Sequence, residues 1–105
     1  MVARVTLAEI DSVRMSIRRA VERFEVSVLP ELREQPGYEG AYVLTTPEGK
    51  ALVITFWADD ESAEASIASG AYKAQVEKFV TLIRSAPGRE TYEVHIADVP
   101  QGAVG

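Results

Sequence analysis

The chain begins with an alternating pattern and then changes to a helical repeat. Residues 2–7 place Arg4 and Thr6 on one face and apolar side chains on the other, which predicts a strand. A helix is expected to begin at residues 11–12, where Asp or Ser can cap the first turn. The apolar residues that follow recur every three or four positions and predict one buried helical face: Val13, Ile17, Val21, Phe24, Val28 and Leu32.

Two prolines interrupt and then end this helix. Pro30 lacks the backbone N–H that a helix interior needs, so a kink is expected there before the periodicity resumes at Leu32. Pro36 and Gly37 are a strong stop signal, because neither residue continues a helix well.

Two strands joined by a tight turn are predicted next. Residues 38–45 and 50–57 flank the sequence Thr-Pro-Glu-Gly, which favours chain reversal, so the strands should form an antiparallel hairpin. The second of them is apolar on both faces and should therefore be covered on both sides. In the first, alternation predicts one shared face for Tyr38, Gly40, Tyr42 and Leu44.

A second helical region and a last strand complete the pattern. The acidic residues 59–61 suit the positive end of a helix, and they are read as caps rather than as a metal site. The apolar phase breaks at residues 69–70, which predicts a further helix capped by Ser69. Residues 89–97 alternate as a strand, and residues 98–105 form an expected flexible tail.

The order strand, helix, strand, strand, helix, strand predicts an α+β fold of ferredoxin-like βαββαβ type over residues 1–97, with a four-stranded antiparallel sheet. Helices would cover one face of this sheet. Because strand 50–57 is apolar on both sides, the other face also needs a cover. The simplest cover is the same sheet of a second copy, so a homodimer through the sheet faces is expected.

Composition narrows the classes of function. The 105 residues are 47% hydrophobic and 26% charged, as in one globular domain, and a net charge of −5 argues against nucleic acid as a partner. There is no apolar run of about 18 residues and no signal-like N-terminus, so no membrane association and a cytoplasmic location are expected. With no cysteine and one histidine, no metal and no cofactor is expected.

Three segments carry a family resemblance. Residues 29–38 read Leu-Pro-Glu-Leu-Arg-Glu-Gln-Pro-Gly-Tyr and are followed by Gly-Ala-Tyr at 40–42. Residues 54–61 read Ile-Thr-Phe-Trp-Ala-Asp-Asp-Glu, and residues 69–72 read Ser-Gly-Ala-Tyr. Together with the element order over residues 2–97, they resemble the dimeric α/β-barrel proteins, in particular antibiotic-biosynthesis-monooxygenase-like (ABM-like) domains. Members of this group include cofactor-free oxygenases of aromatic polyketides and quinols, and haem-degrading enzymes.

The residues match one branch of this group poorly. Its haem-degrading members use an asparagine on the first strand, a tryptophan at the end of the third, and a histidine on the second helical region. Trp57 matches the tryptophan, but the asparagine position falls near Ala3, and the histidine position near Gln75 or Val76. The resemblance therefore favours a cofactor-independent monooxygenase for a flat aromatic or quinol-type molecule. The alternative is a non-catalytic dimeric domain for small-molecule binding or interaction.

Three side chains are candidates for the ligand and the chemistry, each with a plainer alternative. Trp57 could stack an aromatic ligand or simply pack in the core. Tyr72 could donate a hydrogen bond to a bound carbonyl or phenolate, or sit at the rim of the core. His95 is the default catalytic base, but it shares a strand face with Thr91 and Glu93 and would point to the dimer seam if the helices cover the Tyr92 face. A structural or exposed histidine is the preferred interpretation.

Arg4 is the fourth candidate. A guanidinium on a sheet face is usually paired with a carboxylate or another anion. A salt bridge to Glu93 or Glu39 is the preferred interpretation, and an anchor that binds an anionic substrate is the alternative.

Overall fold

The computed structural model describes residues 1–11, 13, 15–68 and 88–100. The predicted helix capped by Ser69, and Tyr72 within it, lie outside the described residues. The elements are β1 (Val2–Glu9), α1 (Ile17–Arg23), a π-helical turn (Phe24–Val28), α2 (Leu29–Arg33), β2 (Tyr38–Thr45), β3 (Lys50–Trp57), α3 (Asp60–Ala68) and β4 (Gly88–Glu93).

The four strands form one antiparallel sheet in the order β2-β3-β1-β4. This is the predicted α+β fold of ferredoxin-like type, in which the first and third strands lie in the centre. The bounds of β2 and β3 agree with the sequence pattern, and the turn between them is closed by Gly49, whose N–H donates to the carbonyl of Thr46 at 3.0 Å. In the central pair, Arg4 lies opposite Thr55 and Val2 opposite Trp57.

The first helix begins later than its sequence signal. Ser16 caps α1, because its hydroxyl accepts the backbone N–H of Arg19 at 3.2 Å. Asp11 instead accepts the N–H of Val13 in a local turn, and Val13 is 94% exposed. The prediction of a helix start at residues 11–12, with Val13 on the buried face, is therefore wrong.

The predicted interruption at Pro30 is confirmed and takes the form of a π-helical turn. Directly before the proline, the N–H of Leu29 donates to the carbonyl of Phe24, five residues back. Pro30 cannot donate to the carbonyl four residues back and its ring crowds that carbonyl, so a wider turn at this point relieves both problems. The helical stretch keeps its buried face through the turn, since Val28 and Leu32 are each 1% exposed.

A bulge in β2 turns Tyr38 toward the helices. The register shifts between Tyr38, which lies opposite Trp57, and Gly40, which lies opposite Phe56. Gly40 has φ +149°, a conformation that suits glycine. Tyr38 is therefore on the helix-covered side, whereas the residues from Gly40 onward alternate in the other phase. The prediction that Tyr38 shares a face with Gly40, Tyr42 and Leu44 is wrong.

The other side of the sheet, which we call the open face, is largely apolar. By register it carries Ala3, Val5, Leu7, Tyr42, Leu44, Leu52, Ile54, Phe56, Glu90 and Tyr92. Four of these are large and about half exposed, namely Leu7, Tyr42, Leu44 and Tyr92. This is the two-sided apolar pattern from which a dimer is predicted, and the dimer itself stays a prediction.

The last strand is shorter than its pattern. β4 ends at Glu93, and residues 94–100 continue without helix or strand, so His95 is exposed beyond the sheet. Tyr92 lies on the open face opposite Ala3, so the helices cover the Thr91 side of β4. His95 was expected to point to the dimer seam only if the helices covered the Tyr92 side, and they do not. Residues 98–100 of the predicted tail are exposed. Among the described helices, none has the length and apolar character needed to cross a membrane.

Candidate functional site

Trp57 is the centre of the core on the helix-covered side of the sheet. It is fully buried and packs with Val2, Val28, Leu32 and Ala63. Trp57 reaches this position because it ends β3 on the same face as Arg4 and Thr55. The plainer interpretation of Trp57, a core residue between sheet and helices, agrees with this burial.

The polar edge of the indole is satisfied within the sheet. The Nε1–H of Trp57 donates to the hydroxyl of Thr55 at 2.9 Å, and Thr55 is itself 5% exposed. Tyr38 meets the indole edge-on, with ring centroids 5.7 Å apart and an interplanar angle of 75°. Edge-to-face packing of this kind contributes about 0.5–1.5 kcal/mol beyond the area buried.

Arg4 lies against the face of the same ring. Its guanidinium carbon is 4.9 Å from the centroid of Trp57, which is a cation–π geometry, and the residue is 2% exposed. The Nη1 group donates to the carbonyl of Ala63 at 3.0 Å and to the hydroxyl of Ser66 at 2.9 Å. The carboxylates proposed as partners, Glu39 and Glu93, are exposed. The role of Arg4 as an anchor for an anionic substrate stays a prediction.

The helix that receives Arg4 is held at its start by a capping carboxylate. The Oδ1 atom of Asp59 accepts the N–H of Ser62 at 2.7 Å. This bond and the Ser62 hydroxyl favour the charged carboxylate and lower the pKa of Asp59. The predicted capping role of the acidic residues is confirmed for Asp59, and the described residues contain no group of three potential metal ligands.

We call Arg4, Tyr38, Thr55, Trp57 and Ser66 the Trp57 cluster. The sequence analysis selected Arg4 and Trp57, and it missed the other three. Thr55 and Ser66 carry no signal of their own, because only the register and the packing of α3 bring them to the ring. For Tyr38 a signal exists: Gly40 within a strand indicates a bulge, which reverses the face of the residues before it.

The cluster offers hydrogen bonds and aromatic surface but no group that titrates near neutral pH. Burial raises the pKa of the Tyr38 phenol, and the nearby charge of Arg33 partly opposes this. Removal of a proton from a bound molecule would therefore need a residue outside the cluster. Of the two predicted catalytic residues, His95 is exposed beyond β4 and is not brought to the cluster, and Tyr72 lies outside the described residues.

Solved structures share this fold at low sequence identity. A protein of unknown function from Nitrosomonas europaea, NE2512, matches with a TM-score of 0.74 and 23% identity, over 96% of this chain and 95% of that one. SnoaB, a cofactor-independent oxygenase from Streptomyces nogalater, matches with a TM-score of 0.72 and 12% identity, over 91% and 94%. The haem degrader MhuD from Mycobacterium tuberculosis matches with a TM-score of 0.72 and 20% identity, over 95% and 100%.

These likenesses show the fold, and the different activities named for SnoaB and MhuD show that the fold alone does not select a reaction. No curated protein sequence matches the chain. The model of the family described as antibiotic biosynthesis monooxygenase, however, matches residues 17–78, more than half of the chain. This chain therefore belongs to the antibiotic biosynthesis monooxygenase family, as the sequence resemblance implies.

Proposed function

We propose that this protein is a cofactor-independent monooxygenase for a flat aromatic or quinol-type small molecule. The observation that carries the proposal is the Trp57 cluster, in which an indole, a phenol and a guanidinium meet on the helix-covered side of the sheet in a member of this family. α3 begins three residues after Trp57, and Tyr72 follows α3 in the sequence. The proposed pocket lies between sheet and helices and is bounded by Trp57 and Tyr72, whose rings a planar ligand would meet.

The substrate class follows from what the cluster lacks. Because the described residues beside Trp57 include no base, the reaction suits an acidic substrate that readily forms an anion able to transfer electrons to oxygen. Anthrone is such a molecule: its methylene carbon becomes a carbonyl with one atom of O2, and the other atom leaves as water with the two methylene hydrogens. The protein contributes orientation and exclusion of water. The Tyr72 hydroxyl would donate to the substrate oxygen, and His95 would accept the proton.

Oxygen uptake with anthrone tests this proposal. Wild-type protein should consume O2 and form anthraquinone, with label from ¹⁸O2 in the new carbonyl. Trp57→Phe and Tyr72→Phe should lower kcat/KM, and His95→Ala should lower kcat about 100-fold if the imidazole acts as a base. Arg18→Lys is the control, because the Arg18 side chain is 90% exposed on α1, away from both the Trp57 cluster and the open face. Turnover that survives all three changes would refute the residue assignments.

A non-catalytic binding or interaction domain is the second candidate. It is favoured by one observation: Trp57 is fully buried and the only histidine is exposed away from it. The emission of Trp57, the single tryptophan, separates the two. Saturable quenching by naphthoquinols or anthrones without oxygen uptake supports the binding domain, and quenching with uptake supports the oxygenase.

The proposed working form is a homodimer joined through the open faces. Leu7 and Leu44 are 58% and 49% exposed there, and contiguous apolar surface of this kind is typical of interaction sites. At one margin the Tyr92 hydroxyl donates to the Glu90 carboxylate, so these two polar groups are paired with each other. A second copy presents the same apolar face and can cover it by twofold symmetry.

Light scattering at micromolar concentration tests the dimer. Wild-type protein should have twice the monomer mass, and Leu44→Glu should shift it toward the monomer because a charge is placed in the apolar seam. Val26→Glu is the matched control, since Val26 is 74% exposed on the π-helical turn rather than on the open face. A monomeric wild type would refute the proposed assembly.

A further inference from the structure

Arg4 is a charged side chain in an apolar layer, and its position needs an explanation. It is 2% exposed in a core otherwise built from residues such as Val28, Leu32 and Trp57. Removing a guanidinium from water is unfavourable unless partners replace its hydration. Two oxygens of α3 supply part of this replacement.

The contacts of Arg4 join three elements at one point. The residue belongs to β1 and lies opposite Thr55 of β3, so Trp57 is its diagonal neighbour on the same face, within reach of a long side chain. Its Nη1 group bonds two oxygens of α3, those of Ala63 and Ser66. The Ser66 hydroxyl in turn donates to the Ala63 carbonyl at 2.8 Å, so both oxygens are held toward the sheet.

Within the packed apolar core, two other specific contacts reach the indole, and these two do not fix its plane by themselves. Thr55 holds the Nε1 edge, and Tyr38 meets the ring edge-on. The second side-chain torsion of tryptophan has broad minima, so one hydrogen bond leaves freedom to tilt. A planar guanidinium over the ring face removes this freedom, and a lysine ammonium could not do so equally well.

We infer that Arg4 is a positioning residue, whose guanidinium holds the Trp57 ring in one orientation and holds α3 against it. The consequence for ligand binding rests on the proposed function: the orientation of Trp57 would set the aromatic wall that a flat ligand meets. Arg4 would then act on the ligand through Trp57 and α3.

Spectroscopy of the single tryptophan tests the inference without a ligand. Arg4→Lys keeps a positive charge, and should keep the far-UV circular dichroism while lowering the near-UV band of Trp57 and its steady-state anisotropy. Ser66→Ala, which keeps the cation over the ring, should give a smaller change of the same kind and serves if Arg4→Lys does not fold. Arg18→Lys is the matched control, because the Arg18 side chain is 90% exposed.

A binding measurement adds the functional arm. In equilibrium dialysis with 1,4-naphthoquinone, Arg4→Lys should raise the Kd about tenfold, because binding must then order a Trp57 ring that Arg4 no longer holds in place. Folded Arg4→Lys and Ser66→Ala proteins with the wild-type near-UV band and anisotropy would overturn the inference. If the wild type binds no naphthoquinone, the proposed function is contradicted, and the spectra still decide the role of Arg4.

Discussion

Replacing Gly37 with alanine tests the junction that brings Tyr38 against Trp57. Gly37 lies between α2 and β2 with φ +80°, and its carbonyl accepts the N–H of Ala58 at 2.8 Å. A Cβ at this position would lie 2.3 Å from the Oγ and 2.4 Å from the Cβ of Ser62. The segment that follows α2 and the first turn of α3 therefore approach so closely that only glycine fits at position 37.

The expected cost has two parts. A left-handed backbone costs an L-residue about 1–2 kcal/mol, and forcing an extra methyl group into a packed contact costs about 1–3 kcal/mol. Alanine also lowers the conformational entropy of the unfolded chain, which offsets about 0.4–1 kcal/mol of this cost. Gly37→Ala should therefore lower the free energy of unfolding by about 1–5 kcal/mol, which moves a urea midpoint by about 0.5–2.5 M at a slope of about 2 kcal/mol per M.

Urea unfolding followed by Trp57 emission, at one fixed protein concentration, measures this loss. Ser62→Gly removes both clashing atoms, so the double variant should be more stable than the sum of the single changes by about 1–3 kcal/mol. Gly40→Ala is the control, because a Cβ there meets nothing within 4 Å and Ser62→Gly should not rescue it. Additivity of Gly37→Ala and Ser62→Gly within about 0.5 kcal/mol would refute the close-approach argument.

Three further predictions concern single groups near the site. Thr55→Val should lower the free energy of unfolding, measured in urea, by about 1–3 kcal/mol, because it leaves the buried indole N–H of Trp57 without its acceptor. Thr55→Ser keeps the hydroxyl and should not show this loss, so equal stability of the two variants would contradict the prediction. Hydrogen bonds from Ser62 lower the pKa of Asp59, so the charged carboxylate stabilises the folded protein. Wild-type protein should therefore be more stable than Asp59→Asn above pH 3.8, and this difference should vanish as the pH falls through the lower folded pKa. A difference that persists in stronger acid would argue against the cap. Burial raises the pKa of Tyr38, so its stabilising effect is present below pH 10.0 and lost as pH rises through the folded value. The pKa of Tyr92 is raised as well, by its bond to Glu90, so absorbance at alkaline pH should show late-titrating phenols, one of which is absent in Tyr38→Phe.

Much of the fold could be predicted because the signals for it are local. The hairpin strands Tyr38–Thr45 and Lys50–Trp57 follow from alternation and from the turn between them, and Pro30 marks the break in the helix because its missing N–H acts at its own position. The apolar residues on both sides of β3 likewise indicate that each face needs a cover. Family membership also follows from local segments, since the matched region includes residues 29–61 of the resemblance.

The site depends more on contacts between distant residues. Alternation alone puts Tyr38 with Tyr42, and the bulge after Tyr38 separates them, because one extra residue in a strand reverses every face before it. Asp11 has the chemistry of a helix cap, yet its carboxylate is used in a turn and Ser16 caps the helix. Local propensity does not decide whether such a side chain closes a turn or caps a helix.

The sequence by itself determined most of the elements, their order and the presence of an arginine on the first strand and a tryptophan at the end of the third. Only the tertiary structure decided that Arg4 lies on the face of Trp57, that Ala63 and Ser66 receive its hydrogen bonds, and that β4 ends before His95. The physical reason is that periodicity indicates which face of an element a residue occupies, whereas the partner of that residue is set by strand register and helix packing. These act between residues far apart in the sequence: the two hydrogen bonds of Arg4 span 59 and 62 residues.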